Sequence, residues 1–321
     1  MHARSLAAVA AVVMAAGAHA QVVKVDAAIP AYQRGQAVSG NLNSVGSDTM
    51  NNLLTYWAEG SAKSHPTVKV QIEGKGSSTA PTALLAGTAQ LGPMSREMKD
   101  SEMESIEAKL GYPPIRISAA IDVLAVYVHK DNPVASLSLP EVDAIFSKSR
   151  KGGFPNEITL WGQLGLKGEL AKKPMSLYGR NSASGTYGFF KDHALFKGDF
   201  KDTVKEQPGS ASVVQGVSSD LAGIGYSGIG YRTSGVRALP LAATVKGQAY
   251  EPSYENALAK TYPLSRHLYI YVVRDPRTPM DALTREFLRF VLSREGQEIV
   301  VKDGFLPLPA AVAAEELKKL D

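Results

Sequence analysis

Apolar positions change period repeatedly along this chain, and strand-like and helix-like stretches take turns. Short runs rich in β-branched and aromatic residues over 68–72, 113–129, 176–178, 223–226 and 267–274 read as strands. Between them, 51–64, 101–110 and 281–292 carry apolar residues at the three- and four-residue spacing of a helix with one buried face. Such alternation predicts α/β layers. Two strands, 115–129 and 267–274, are long enough to run from one lobe into another. If both do, the chain is an α/β fold of two lobes with a two-strand hinge. Lobe one is then 37–122 plus 265–321, lobe two is 123–264, and 21–36 is a flexible start. Two extended crossings suit a clamshell that closes on a ligand.

Three small Gly/Ser/Thr clusters fall where a strand is expected to end and a helix to begin. They are Gly46-Ser47-Asp48-Thr49-Met50, Gly74-Lys75-Gly76-Ser77-Ser78-Thr79, and Gly179-Arg180-Asn181-Ser182-Ala183-Ser184-Gly185-Thr186. The first amides of a helix have no intrahelical acceptor and carry a partial positive charge, so such a terminus can solvate a tetrahedral oxyanion. Each cluster alone reads more simply as an ordinary helix cap, and Arg180 alone would also fit a salt bridge. Three clusters together, one with an arginine whose planar fork matches two oxygens of one anion, point to a shared oxyanion site.

The first twenty residues set the compartment. Arg4, an apolar run over 6–16 and the small-residue site Ala18-His19-Ala20 read as a secretory signal over 1–20, cleaved to leave Gln21 first. The run is shorter than the roughly 18 residues a membrane anchor needs, so a periplasmic location without membrane insertion is expected. Some 300 remaining residues exceed what one core usually holds. There is no cysteine, which excludes disulfides, thiol nucleophiles and cysteine-ligated metals. With 35 basic and 31 acidic side chains the net charge is only +4. No basic stripe with aromatics suggests nucleic acid, and any bound anion must be held locally.

Other patterns carry less. Gly223-Ile-Gly-Tyr-Ser-Gly228 matches G-x-G-x-x-G, yet no helix is expected after it and no acidic residue lies about 20 positions on, so it reads as strand and turn. There is no Walker loop, H-E-x-x-H or G-x-S-x-G elbow. His65, His129, His193 and His267 lack metal-ligand spacing, and no cofactor or metal is expected.

The clusters and their neighbours occur in a recognisable order: Gly46-Ser-Asp-Thr-Met50, the loop 74–79, Leu91-Gly-Pro-Met-Ser-Arg96, Ile121-Asp-Val-Leu-Ala-Val126, Gly179-Arg180 to Ser184-Gly185-Thr186, and Gly223-Ile-Gly-Tyr226. This set resembles the PstS family of phosphate-binding proteins, which has the type II periplasmic-binding-protein fold. The resemblance implies a monomeric carrier that takes inorganic phosphate to the membrane permease of an ABC transporter. It places Ser47, Asp48, Thr49, Met50, Ser77, Ser95 and Arg96 at the ligand from lobe one, and Arg180, Ser184, Gly185 and Thr186 from lobe two.

One loop departs from the family pattern. Better-known members carry an aspartate there as G-A-S-D, which accepts the proton that phosphate keeps at neutral pH and sulfate lacks. Here the loop ends Ser95-Arg96. Asp48 is then the expected acceptor, unless it merely caps its helix, and Arg96 is expected to add a second cation. The alternatives are a secreted phosphatase or other hydrolase built on one of these serines, and a carrier of sulfate or molybdate.

Overall fold

The computed structural model describes residues 23–321; the signal expected over 1–20 and the new terminus at Gln21 lie outside the described residues. The first part of the chain forms β1 (Gly40–Val45), α1 (Asn51–Ala62), β2 (Val68–Glu73), α2 (Ala80–Leu85), β3 (Gly92–Met94), α3 (Asp100–Leu110) and β4 (Ile115–His129). There follow β5 (Leu137–Ser138), α4 (Leu139–Phe146), β6 (Ser176–Arg180), α5 (Gly185–His193), β7 (Lys205–Gln207), α6 (Ser210–Ser218), β8 (Gly223–Gly228), β9 (Val236–Ala238), β10 (Leu241–Ala242), β11 (Ala249–Tyr250) and α7 (Tyr254–Leu258). The chain ends with β12 (Ser265–Val272), α8 (Ala282–Val291), α9 (Arg294–Lys302) and α10 (Ala310–Lys318).

A seven-stranded sheet runs in the order β3-β12-β4-β8-β6-β7, with β9 also paired to β4. β4 spans it. From Ile115 to Val123 it lies antiparallel to β12, and from Leu124 to Val128 its antiparallel partner is β8. β12 begins at the same level, with Ser265 opposite Val123. The protein is thus an α/β fold of two lobes joined by two crossing strands. We propose that the lobes part where β4 changes partner, giving 37–122 with 265–321 on one side and 123–264 on the other.

Almost every residue of β4 is buried, as a strand covered on both faces must be. Beside it each lobe has its own aromatic anchor. In lobe one Trp57 is fully enclosed, and its Nε1–H donates to the Gly296 carbonyl at 2.8 Å. In lobe two Phe190 stacks on Tyr226 with ring centroids 3.9 Å apart, and Phe146 meets both edge-on. Burying an aromatic polar tip is tolerated only where it finds a partner, and Trp161 follows the rule by donating to the Ala222 carbonyl at 3.2 Å.

The first described residues differ from the flexible start expected of them. Ile29 is fully buried. Arg294 donates to the carbonyls of Ala27 and Ile29, and the Tyr32 hydroxyl donates to Glu286 while lying 2.7 Å from His65 Nε2. The segment is fixed by His65, just past α1, and by α8 and α9, so its order comes from long-range partners.

At the crossing itself Arg266 stands opposite Asp122. Arg266 donates from Nε and Nη2 to Asp122 Oδ2 at 3.0 and 2.7 Å, and both side chains are out of reach of solvent. Removing one member of such a pair strands the other charge at a cost of about 3–5 kcal/mol, whereas replacing both with apolar groups is close to neutral. Asp122→Ala should therefore lose about that much stability in urea denaturation, and the double change Asp122→Leu with Arg266→Met should recover most of it. An equal loss in single and double variants would show that the two residues do not act as a pair.

Candidate anion-binding site

All three donor loops sit at strand-to-helix junctions. β1 leads through Gly46 and Ser47 into a 3-10 turn, Asp48–Met50, and on into α1. The turn Ser77–Thr79 runs into α2 in the same way. β6 ends at Arg180, and Ser184 caps α5 by accepting the Tyr187 N–H at 3.3 Å. Strands set the depth of these loops and helices aim their first amides outward, so three helix N-termini converge on one buried point.

There the hydroxyls meet. Thr49 Oγ1 lies 2.9 Å from Thr186 Oγ1, which reaches Ser95 Oγ at 3.5 Å. Ser47 Oγ donates to Ser95 Oγ at 3.0 Å, and Ser77 Oγ lies 3.4 Å from it while accepting the Ser95 N–H at 3.0 Å. All five side chains are buried. Gly185 belongs to the same group, because a Cβ at that position would collide with Ser77 Oγ and stand 2.8 Å from Ser95 Oγ. No carboxylate or imidazole among the described residues is hydrogen-bonded to these hydroxyls, which bond to one another, to the Ser210 hydroxyl and to guanidinium or amide donors.

Two buried guanidiniums border the group. Arg180 Nη1 donates to Ser210 Oγ at 2.8 Å, and Nη2 lies 3.2 Å from Asp48 Oδ2. Its Nε is buried without a hydrogen-bond partner, an arrangement native structures rarely leave unexplained. Tyr226, stacked in the lobe-two core, fixes the strand end by accepting the Arg180 N–H at 3.2 Å. Arg266 donates to Thr186 Oγ1 at 2.9 Å and to the Ser95 carbonyl at 2.7 Å. Burial pulls the pKa of each guanidinium below the ordinary arginine value, while Asp48 and Asp122 respectively oppose that shift. Both remain charged, since arginine does not deprotonate in proteins.

Of the residues expected at the ligand, Ser47, Asp48, Thr49, Ser77, Ser95, Arg180, Gly185 and Thr186 come together. Three are placed differently. The Met50 side chain is fully buried in the main hydrophobic core, because the turn carries it inward. Ser184 Oγ accepts the Tyr187 N–H as the cap of α5, outside the hydroxyl group but next to Gly185, and its own O–H remains available to donate. Arg96 turns away to Glu102, donating to its two carboxylate oxygens at 2.8 and 2.7 Å, and to Ser78 Oγ at 3.2 Å. The expected second cation beside the hydroxyls is Arg266 instead.

Sequence reasoning also missed Ser210, whose hydroxyl lies 3.5 Å from Thr49 Oγ1. It opens α6 directly after Pro208-Gly209, the same loop-to-helix signature as the other clusters. Arg266 and Asp122 had a different signal, a charge within an otherwise apolar strand.

Fold and site together define a two-lobed solute-binding protein whose candidate anion site lies where its donor loops meet. A family model for the PBP superfamily domain matches residues 31–295. The phosphate-binding protein PstS of Pseudomonas aeruginosa is 54% identical over 317 residues, covering 99% of this chain and 98% of that protein. Protein SphX of Synechococcus elongatus is 31% identical over 268 residues, covering 83% and 77%. Among solved structures, a protein from Clostridium perfringens described as a phosphate ABC transporter substrate-binding protein, with bound phosphate, superposes with a TM-score of 0.71. It is 25% identical and covers 84% of this chain and 100% of its own. The chain belongs to the PstS family of phosphate-binding proteins within the PBP superfamily.

Gly185→Ala tests the geometry directly. Its methyl group cannot share the space of Ser77 and Ser95, so the α5 terminus should be held away from the lobe-one loops. Small-angle scattering with excess phosphate should then give a larger radius of gyration for the variant than for the parent protein; identical curves would show that the loops adjust locally.

Proposed function

We propose that this protein captures inorganic phosphate between its lobes in the periplasm and delivers it, chemically unchanged and as a monomer, to the permease of an ABC transporter. The observation that carries the reading is the convergence of five buried hydroxyls from both lobes on one point, with Arg180 joined to them through Ser210 and Asp48. The 54% identical Pseudomonas protein bears the name of a phosphate-binding protein, which supports phosphate over other oxyanions. No helix among the described residues is long and apolar enough to cross a membrane, in keeping with a carrier that meets its permease as a separate chain.

In this mechanism, the hydroxyls release one another and turn their protons toward the ligand's oxygens, joined by the first amides of α5. Contacts from both lobes favour the closed state, since a ligand shifts a conformational equilibrium only through its unequal affinity for the two forms. Lobe one supplies Ser47, Thr49, Ser77 and Ser95; lobe two supplies Arg180, Gly185, Thr186 and Ser210.

Asp48 is the acceptor in this reading. Its Oδ2 is taken by the Ser210 N–H at 2.9 Å and by Arg180, while Oδ1 makes no hydrogen bond with the described residues and can accept the proton of phosphate. Asp122 has no such freedom, since Arg266 occupies Oδ2 and the Ile229 N–H occupies Oδ1. A fully deprotonated sulfate would meet Asp48 with two unpaired acceptors face to face, the repulsive element that selectivity requires.

A hydrolase would need a base or metal to activate one of the serines. The mutual hydroxyl bonding favours carriage.

Calorimetric titration with phosphate, sulfate and arsenate separates these readings. Phosphate should bind tightly and sulfate weakly. Arg180→Ala should weaken phosphate binding by at least about 100-fold, the scale of a lost buried charge-assisted pair. Asp48→Asn should narrow the preference for phosphate over sulfate. Retained preference would place the acceptor elsewhere; no heat with any oxyanion, or release of phosphate from a chromogenic ester, would overturn the carrier itself.

A further inference from the structure

The glycine-rich run that begins at Gly223 does not end with its strand. β8 closes at Gly228 and the chain continues through a 3-10 turn, Ile229–Tyr231. None of these turn residues belongs to the donor loops, yet the turn touches three separate parts of lobe one, among them the hinge ion pair and the first donor loop. The Ile229 N–H donates to Asp122 Oδ1 at 3.0 Å, so one end is tied to the hinge ion pair. Gly230 packs so closely on the segment after α9 that a Cβ would lie 2.8 Å from the Asp303 carbonyl and 2.8 Å from the Phe305 ring. At the other end the Tyr231 hydroxyl donates to the carbonyls of Asp48 and Thr49 at 3.2 and 3.1 Å.

These contacts cross the cleft. On the lobe division proposed above, the turn belongs to lobe two, whereas Asp48, Thr49, Asp303 and Phe305 belong to lobe one. The Tyr231 ring stands edge-on to Phe305, with centroids 6.3 Å apart, which holds the phenol in line with its two acceptors. Burial, with Asp48 adding to it, raises the Tyr231 pKa above the ordinary phenol value. The hydroxyl therefore stays a donor throughout the physiological range. The group it grips is the backbone of the very loop that carries Thr49 and the proposed proton acceptor.

We propose that Tyr231 is a closure latch, a positioning residue that joins the lobes independently of the anion and governs how fast the cleft reopens. The inference rests on the reading of the cleft as an oxyanion site, but its structural core is a direct lobe-to-lobe bond between protein groups alone. Because the phenol grips main-chain carbonyls, it holds the first donor loop in register with Thr186 and Ser210 without touching the anion. Selectivity is then left to the side chains, and residence time to the latch. A bond made in the closed state and broken in the open one acts mainly on dissociation.

Tyr231→Phe keeps the ring and removes only the donor. Stopped-flow measurement should show phosphate release accelerated by about fivefold to tenfold, the scale of one net hydrogen bond, with association and the phosphate-to-sulfate affinity ratio unchanged. An unaltered release rate, or a changed ratio, would overturn the latch. A ligand-free arm separates this from the function itself. The chain has no cysteine, so Lys109→Cys and Lys172→Cys, both at exposed positions, can carry a unique pair of spin labels across the lobes. Without any anion, Tyr231→Phe should move the distance distribution toward the open form, and Gly230→Ala, which forces the turn away from Asp303 and Phe305, should move it further. Such shifts support the latch even if phosphate gives no heat with the parent protein; unchanged distributions in both variants would sink it even if phosphate binds.

Discussion

The bond on which most of this molecule depends is the buried ion pair between Asp122 and Arg266. It forms where the two crossing strands face each other, 144 residues apart in sequence. Each atom left over has a second task. Arg266 reaches the Ser95 carbonyl in lobe one and the Thr186 hydroxyl in lobe two, and Asp122 accepts the Ile229 N–H of the turn that carries Tyr231. A buried pair adds little stability over apolar side chains of the same shape. What it contributes here is geometry: the hinge, two donor loops and the cross-cleft turn all take their position from one pair of side chains.

Electrostatics at the cleft follows from the same arrangement. Arg180 and Arg266 are both desolvated, and among the described residues each has one carboxylate against it. Burial lowers the Arg180 pKa, and like-charge repulsion from Arg266 adds to that lowering. Helix N-termini add further positive potential at the mouths of α5 and α6. An anion placed among them recovers part of the desolvation already suffered by the cations. This explains how a chain with a net charge of only +4 can hold an oxyanion without a basic surface.

Most of the architecture was legible in the sequence because period and composition are local. Strands such as β4 and helices such as α8 appear within two residues of their expected ends, and the donor clusters announced themselves through loop chemistry at helix starts. What failed was whatever depends on direction or distance. Asp48-Thr49-Met50 reads as one motif, yet the turn sends Thr49 into the cleft and Met50 into the core. Arg96 looked free for a ligand because its partner, Glu102, sits in the first turn of α3, where a carboxylate has a dipole of its own to satisfy. The segment 23–36 has no periodicity at all, yet it is held by His65, just past α1, and by helices from the far end of the chain. Arg266 and Asp122 were visible only as charges out of place in apolar strands, a pattern that marks a buried pair but does not say where its spare donors go.

The choice of hydroxyls as the main donors has a physical consequence of its own. A hydroxyl both donates and accepts, so Ser47, Thr49, Ser77, Ser95 and Thr186 can satisfy one another when the loops meet. Five ammonium or amide donors packed together would instead leave buried protons without acceptors, at about 1–3 kcal/mol each. The loops can therefore approach one another without penalty before a ligand arrives and exchange hydroxyl partners for anion oxygens one at a time. Arg180 Nε is a buried donor without a hydrogen-bond partner among the described residues, as are the Nε atoms of Arg274 and Arg285. The hydroxyls differ in that each bond they give up to an anion can be remade among themselves, and an exchangeable network of this kind keeps binding reversible, as a carrier requires.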